Sequence, residues 1–216
     1  PRNYAPPRYG VIVEPFAGSA GYATRYPDRD VVLCDTDPVV CGVWDYLIHV
    51  SEEEIRAIPD VPPDGTVDDL HVPQEARWLV GFWLNSATTR PARTPSKWMR
   101  DGSGGMFWGT RVRERIASQV HAIRHWQILN VSYAEITPST PATWFVDPPY
   151  QVAGIHYRHG IRSIDYAHLG AWCRSLPGQV IVCENTGATW LPFVHLRDVA
   201  SAQGRSAEAI WYREGE

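Results

Sequence analysis

The sequence predicts an α/β protein built on an open, mostly parallel sheet and interrupted by one helical insertion. Three observations carry this. Short runs rich in β-branched residues, each ending in a polar residue, recur at 11–14, 31–35, 128–132, 143–147 and 179–184, and each has the length of a buried parallel strand. Helical patterns fall between several of them, which is the alternation of an open α/β sheet. The rhythm then breaks once, between residues 51 and 124, where no strand pattern stands out. With 216 residues, 44% of them hydrophobic, the chain can form one ordinary domain with a buried core.

In chain order, the first strand pattern leads into a glycine-rich turn and the second ends in Asp35. A helix is predicted over 39–50. The next segment is rich in proline and aspartate over 58–73, followed by a helix over 74–87, a loop rich in Thr, Pro, Arg and Gly, and a helix over 110–124. Strands then resume at 128–132 and 143–147, a helix is predicted over 166–175, and the fifth strand follows. The tail supplies two more strand patterns, 193–199 and 209–213, the last antiparallel. This divides the chain into a core, residues 1–50 and 126–216, and an inserted region, 51–125.

No stretch approaches the roughly 20 apolar residues of a membrane span, and residues 1–10 lack the pattern of a signal peptide, so a soluble cytoplasmic protein is expected. Cys34, Cys41, Cys173 and Cys183 show no zinc-type spacing and are expected to be reduced and buried. The net charge of −4 is unevenly spread. Residues 77–124 hold nine Lys/Arg against two acids, whereas thirteen acids fall between Asp28 and Glu75. A basic appendage on an acidic body suits a phosphate backbone, with Arg90, Arg93, Lys97 and Arg100 as candidate contacts. A solvated Arg-rich helical surface accounts for the same charges. Trp78, Trp83, Trp98 and Trp108 lie in this segment, and aromatics interleaved with arginine suit base stacking, although core packing uses them equally well.

The decisive local signal is Asp147-Pro148-Pro149-Tyr150 after the strand Thr143-Trp144-Phe145-Val146. Ligands of open α/β sheets bind at the carboxyl ends of strands, so a carboxylate and an aromatic ring are delivered where chemistry occurs. Two prolines stiffen the turn and remove two N–H donors, leaving it rich in acceptors. The second signal is Glu14-Pro15-Phe16-Ala17-Gly18-Ser19-Ala20-Gly21, directly after the first strand. Glycines there let a ligand approach the backbone closely. Asp35, at the end of the next strand, is suited to bonding ribose hydroxyls. Neither a phosphate-binding lysine nor a nucleotide-triphosphate loop is present in the sequence.

Together these motifs resemble the Dam-like (D12) class of N6-adenine DNA methyltransferases, over about residues 11–193. The resemblance implies a Rossmann-like methyltransferase sheet, S-adenosylmethionine as cofactor, and the insertion as target-recognition region. It makes Asp147, Pro148, Pro149 and Tyr150 the catalytic set. The cofactor site would comprise Glu14, Pro15, Phe16, Ala17, Gly18, Asp35, Thr36, Ser132, Tyr133 and Asp147, with Asn130-Val131-Ser132-Tyr133 beside the cofactor adenine. Three departures stand out. Ala20 with Gly21 replaces the second glycine of the family's FxGxG loop, Ser132 replaces a common acid, and residues 1–9 show no match to the family's lysine-bearing segment.

What the resemblance implies chemically is hydrogen bonding of the adenine amine to the Asp147 carboxylate and the Pro148 carbonyl. The base would be flipped out of the duplex and stacked on Tyr150. His156, Tyr157 and Arg158, in the segment 151–163, are expected to close over the flipped nucleotide or grip neighbouring phosphates; an exposed polar loop is the alternative. No metal is expected, because His156 and His159 lack further ligands at suitable spacing. Glu184-Asn185 could line the base pocket or simply cap a strand. DNA is the expected partner and a monomer the expected state. Cytosine N4 or RNA adenine as target, or a DNA-binding protein of the same fold without turnover, are the other functions that fit.

Overall fold

The computed structural model describes residues 4–85, 89–102, 106–152, 164–201 and 204–215. It divides into two compact units, residues 1–36 with 126–216, and residues 37–125.

The first unit holds the sheet: β1 (Val11–Glu14), β2 (Asp30–Cys34), β3 (Gln127–Leu129), β4 (Ala142–Val146), β5 (Gly178–Asn185), β6 (Val194–Ser201) and β7 (Gly204–Arg213). Their spatial order is β3-β2-β1-β4-β5-β7-β6. The first five pair in parallel, and β7 runs antiparallel between β5 and β6. This is an open, mostly parallel Rossmann-like α/β sheet with an antiparallel strand near its end, as the sequence predicts. From β1 the chain builds outward to β3 and returns to β4 on the other side, so the strand order reverses between β1 and β4. Such a switch point opens a crevice at the carboxyl ends of the strands.

Every residue of β4 is buried, as a central parallel strand covered on both faces requires. Side chains alternate between those faces. Val13, Trp144, Val146, Val180 and Val182 pack with Leu169, Cys173 and Leu176 of the helix Tyr166–Ser175, whose amino end is capped by Asp165 accepting from His168 N. On the alternate face Tyr22 stacks on Phe145 at 4.5 Å and Tyr4 meets Phe145 edge-on at 5.1 Å. The N-terminal segment is tied to this face by buried polar groups. Arg8 N donates to Thr143 Oγ1 and Gln179 Oε1 at 3.1 and 2.9 Å, and Gln179 Nε2 donates to the Pro6 carbonyl at 3.1 Å. Thr143 and Gln179 are thus enclosed with their bonds made.

The second unit contains α1 (Pro38–His49), α2 (Glu52–Ala57), α3 (Gln74–Phe82), α4 (Lys97–Arg100) and α5 (Thr110–Val120); the helix Tyr166–Ser175 of the first unit is α6. Within the second unit α1 packs on α3, and α2 on α5. No helix among the described residues is long and apolar enough to cross a membrane. All four cysteines are buried, and none is in a disulfide.

Several boundaries differ from the sequence reading, each for a local reason. Helix α1, grouped there with the core, falls in the second unit because its apolar face packs on α3. The helix expected over 74–87 stops at Phe82: Leu84 N and Ala92 N both donate to the Gly81 carbonyl, so the chain folds back at that point. β3 ends at Leu129 instead of residue 132, because the Asn130 amide turns to the Asp35 carbonyl and Ser132 caps a 3-10 turn over Tyr133–Glu135. Helix α2 escaped prediction, yet its reciprocal Ser51–Glu54 capping bonds are written in the sequence as Ser-x-x-Glu.

Candidate active site

The switch point brings two sequence motifs to adjacent strand ends. β1 delivers Glu14, Pro15, Phe16, Ala17 and Gly18; β4 delivers Asp147, Pro148, Pro149 and Tyr150. The glycine-rich loop is pinned to β2, since Ala17 N donates to the Cys34 carbonyl at 2.9 Å and Gly18 N to Asp35 Oδ2 at 3.0 Å. Gly18 lies at φ +45°, exposed, and a Cβ built on it would have nothing within 4 Å. Its conformation, in the left-handed region, is what calls for glycine. Ala20 adopts φ +46° although it carries a side chain, and it is completely buried.

Glu14 is turned into the protein. Its carboxyl accepts from Ala23 N at 2.6 Å and also from the Tyr22 amide, capping the short helical turn Ala23–Arg25. Burial pushes its pKa up to about 8; the charge of Asp147 adds to the rise, and the two backbone bonds oppose it. Glu14 therefore braces the loop from beneath. At the β2 end, Asp35 holds Gly18 through a side-chain oxygen and is itself fixed by β3, its N–H donating to the Leu129 carbonyl at 3.1 Å. Thr36 beside it is exposed. The half-buried Phe16 ring lies 5.5 Å from that of Tyr133, whose hydroxyl is 3.0 Å from His168 Nδ1 on α6. Phe16, Gly18, Asp35, Ser132 and Tyr133 thus gather at one end of the sheet. An open glycine turn, two aromatic rings and a strand-end carboxylate fit an adenosine-type cofactor with an attached amino acid.

Asp147 is open to solvent on one side and crowded by protein on the other. That crowding raises its pKa to about 6, the interaction with the Tyr150 hydroxyl opposes the rise, and the charges of Glu208 and Glu184 add to it. Tyr150 is half-buried, and its phenol is pushed upward by burial first and then by Asp147, Cys183, Tyr4 and Glu208. Pro148 is buried, and the Pro149 carbonyl accepts the Tyr166 hydroxyl at 2.6 Å.

Three participants were not legible in the sequence. Tyr4 comes from the N-terminal segment, hydrogen-bonds the buried Cys183 and feels the charge of Asp147. Glu208 on β7 pairs with Arg197 on β6 at 2.6 Å, and the charges of both reach Tyr150. No local pattern marks these residues, since Tyr4 comes from the N-terminal segment and Glu208 and Arg197 from paired strands far along the chain.

In the second unit the basic segment is partly consumed by structure. Arg77 donates to the Leu70 carbonyl, Arg113 to the Ile58 carbonyl and Asp60, and Arg124 to the Ile48 and Val50 carbonyls. Arg93 pairs with Asp68, and Arg100 donates to the Pro95 carbonyl at 2.8 Å. Lys97 and Arg90 are exposed. The tryptophans also separate: Trp108 is buried with its indole N–H on the Pro59 carbonyl, Trp78 and Trp83 are half-buried, and Trp98 is 64% exposed between Lys97 and Arg100. A shallow depression lined by Asp45, Tyr46, His49, Glu54 and Glu75 is acidic and unsuited to phosphate. His156, Tyr157 and Arg158 lie outside the described residues.

No family model matches the chain, and no curated protein matches it. Among solved structures it is similar to a protein of Escherichia coli assigned as the methyltransferase yhhF, with 13% identity and a TM-score of 0.39 over 95% of this chain and 76% of that one. It is similar to a protein of Haemophilus influenzae assigned as the methylase HI0767, with 11% identity and a TM-score of 0.39 over 95% and 86%. A third is the 23S rRNA methyltransferase ErmE, with 10% identity and a TM-score of 0.40 over 94% and 61%. Likeness at this level leaves the chemistry of the chain to its own residues.

Proposed function

We propose that this chain is an S-adenosylmethionine-dependent methyltransferase whose target is the exocyclic N6 amine of adenine in DNA. The observation that carries the reading is the juxtaposition, at the switch point of the sheet, of an Asp-Pro-Pro-Tyr turn with a glycine loop closed by Asp35. Phe16, Gly18, Asp35, Ser132 and Tyr133 are the residues suited to hold the cofactor, which when bound supplies an electrophilic methyl group.

The protein's task is to make a poor nucleophile react. The lone pair of the adenine amine is delocalised into the ring. Two acceptors, the Asp147 carboxylate and the Pro148 carbonyl, would bond its two N–H groups and favour a pyramidal nitrogen. The ring of Tyr150 is then the surface on which the extruded base stacks, worth about 1 to 3 kcal/mol. The second unit, with Lys97, Trp98 and Arg90 on its surface, is the proposed contact to the nucleic acid.

Mass spectrometry of nucleosides after incubation with cofactor and mixed-sequence duplex DNA tests this directly. N6-methyladenine is the expected product. Asp147→Ala should abolish it while leaving cofactor binding nearly unchanged. Formation of N4-methylcytosine alone, of methylated RNA alone, or of no modified base while cofactor binds, overturns the assignment.

A further inference from the structure

Two hydrogen-bonded contacts flank the Asp147–Tyr150 turn, and the reaction as proposed gives them no part. Glu184, near the end of β5, is completely buried, and both its carboxylate oxygens accept the backbone N–H of Gln151, at 3.0 and 3.1 Å. The same carboxylate accepts from Asn185 N at 3.3 Å and from the Trp190 indole at 3.4 Å. On the second contact, Tyr166 at the start of α6 donates its hydroxyl to the Pro149 carbonyl at 2.6 Å. The Gln151 side chain adds a bond of its own, accepting from Thr189 N at 3.3 Å.

Enclosing a carboxyl is costly unless its bonds are made, so a buried acid at a strand end calls for a reason. What a carboxylate offers over an amide is two strong acceptor oxygens on one rigid plane. Here both point at one peptide, the one that follows Tyr150. Burial raises the Glu184 pKa, and the bonds from Gln151, Asn185 and Trp190 oppose the rise.

We infer that Glu184 and Tyr166 are positioning residues that clamp the Asp-Pro-Pro-Tyr turn from β5 and α6. Glu184 fixes the peptide after Tyr150, and Tyr166 commits the Pro149 carbonyl to α6, which leaves the Asp147 carboxylate and the Pro148 carbonyl as the acceptors for the amine. What the clamp serves rests on the methyltransferase reading; that it exists does not. Reactions that depend on in-line geometry lose about a hundredfold for a misplacement near 1 Å, so the clamp should be felt in turnover more than in binding.

The test combines kinetics with amide hydrogen exchange on the ligand-free protein. Glu184→Ala should lower kcat about a hundredfold, with KM for DNA and cofactor affinity held within about threefold. Glu184→Gln keeps one oxygen to accept from Gln151 and Asn185 but loses the second bond from Gln151 and the long bond from Trp190, so its turnover should fall between those of the parent and Glu184→Ala. Tyr166→Phe should lower kcat about tenfold. The Gln151 amide should exchange at least about tenfold faster in Glu184→Ala than in the parent or in Glu184→Gln, while the amides of Val180 to Val182 are unchanged. An equal Gln151 exchange rate in all three proteins overturns the clamp, as does a glutamine variant no better than alanine or a loss confined to KM. If the parent methylates nothing, the functional reading fails, and exchange at Gln151 still decides the clamp. If Glu184→Ala does not fold, Glu184→Gln and Tyr166→Phe carry the comparison.

Discussion

Asp147 is held between opposing influences, and its titration is the most direct window on its role. Crowding and the charges of Glu208 and Glu184 move its pKa upward to about 6, against the Tyr150 hydrogen bond. In the proposed reaction a protonated carboxyl is a poorer acceptor for an amine N–H, so the ionised form is the one expected to work. For the free protein kcat/KM should therefore fall as pH drops through about 6, and the acid limb should vanish in Asp147→Asn together with most of the activity. A profile flat from pH 5 to 7 in the parent would mean that ionised Asp147 has no part in the reaction. The position of Asp147 at a strand end was legible from its tetrapeptide and the strand before it. Its titration was not, because Tyr4, Glu184 and Glu208 reach it through folding alone.

At the scale of elements, the glycine loop carries a recognisable pattern and a local tension. Within it Ala20 adopts φ +46° although it carries a side chain. A left-handed residue with a side chain costs about 1 to 2 kcal/mol, whereas removing its buried methyl forfeits about 0.8 kcal/mol. Ala20→Gly should thus stabilise the protein by about 0.5 kcal/mol, read as a small rise in denaturant midpoint; a clear fall would show that the methyl packs better than its conformation costs. The elements themselves divide by the strength of their local signal. β1 and α6 match their sequence patterns residue for residue, since apolar periodicity and the Asp165 cap are local features. The end of α3 and the shortened β3 depart from theirs, because contacts at Gly81 and Asn130 made by distant segments override the local preference.

Across the whole molecule, charge counted along the chain overstates the charge offered to a partner. Arg77, Arg113 and Arg124 are used on backbone carbonyls within the second unit, whereas Lys97, Trp98 and Arg90 are on its surface. Replacing Lys97 and Trp98 together by alanine should weaken DNA binding about tenfold or more and reduce its salt slope by about one, with little change in Tm. Arg113→Ala should instead lower Tm by several degrees and leave the salt slope alone. The reverse pattern would remove the proposed contact surface. By itself the sequence determined the sheet class, the two motifs and their strand-end positions, because strand periodicity, a Pro-Pro turn and a glycine loop are written in neighbouring residues. Only the tertiary structure decided that Glu14 braces the loop, that Tyr4, Glu184 and Glu208 surround Asp147, and which arginines are spent on carbonyls. Those facts depend on strand order and on contacts between residues far apart in the chain, and no local pattern encodes them.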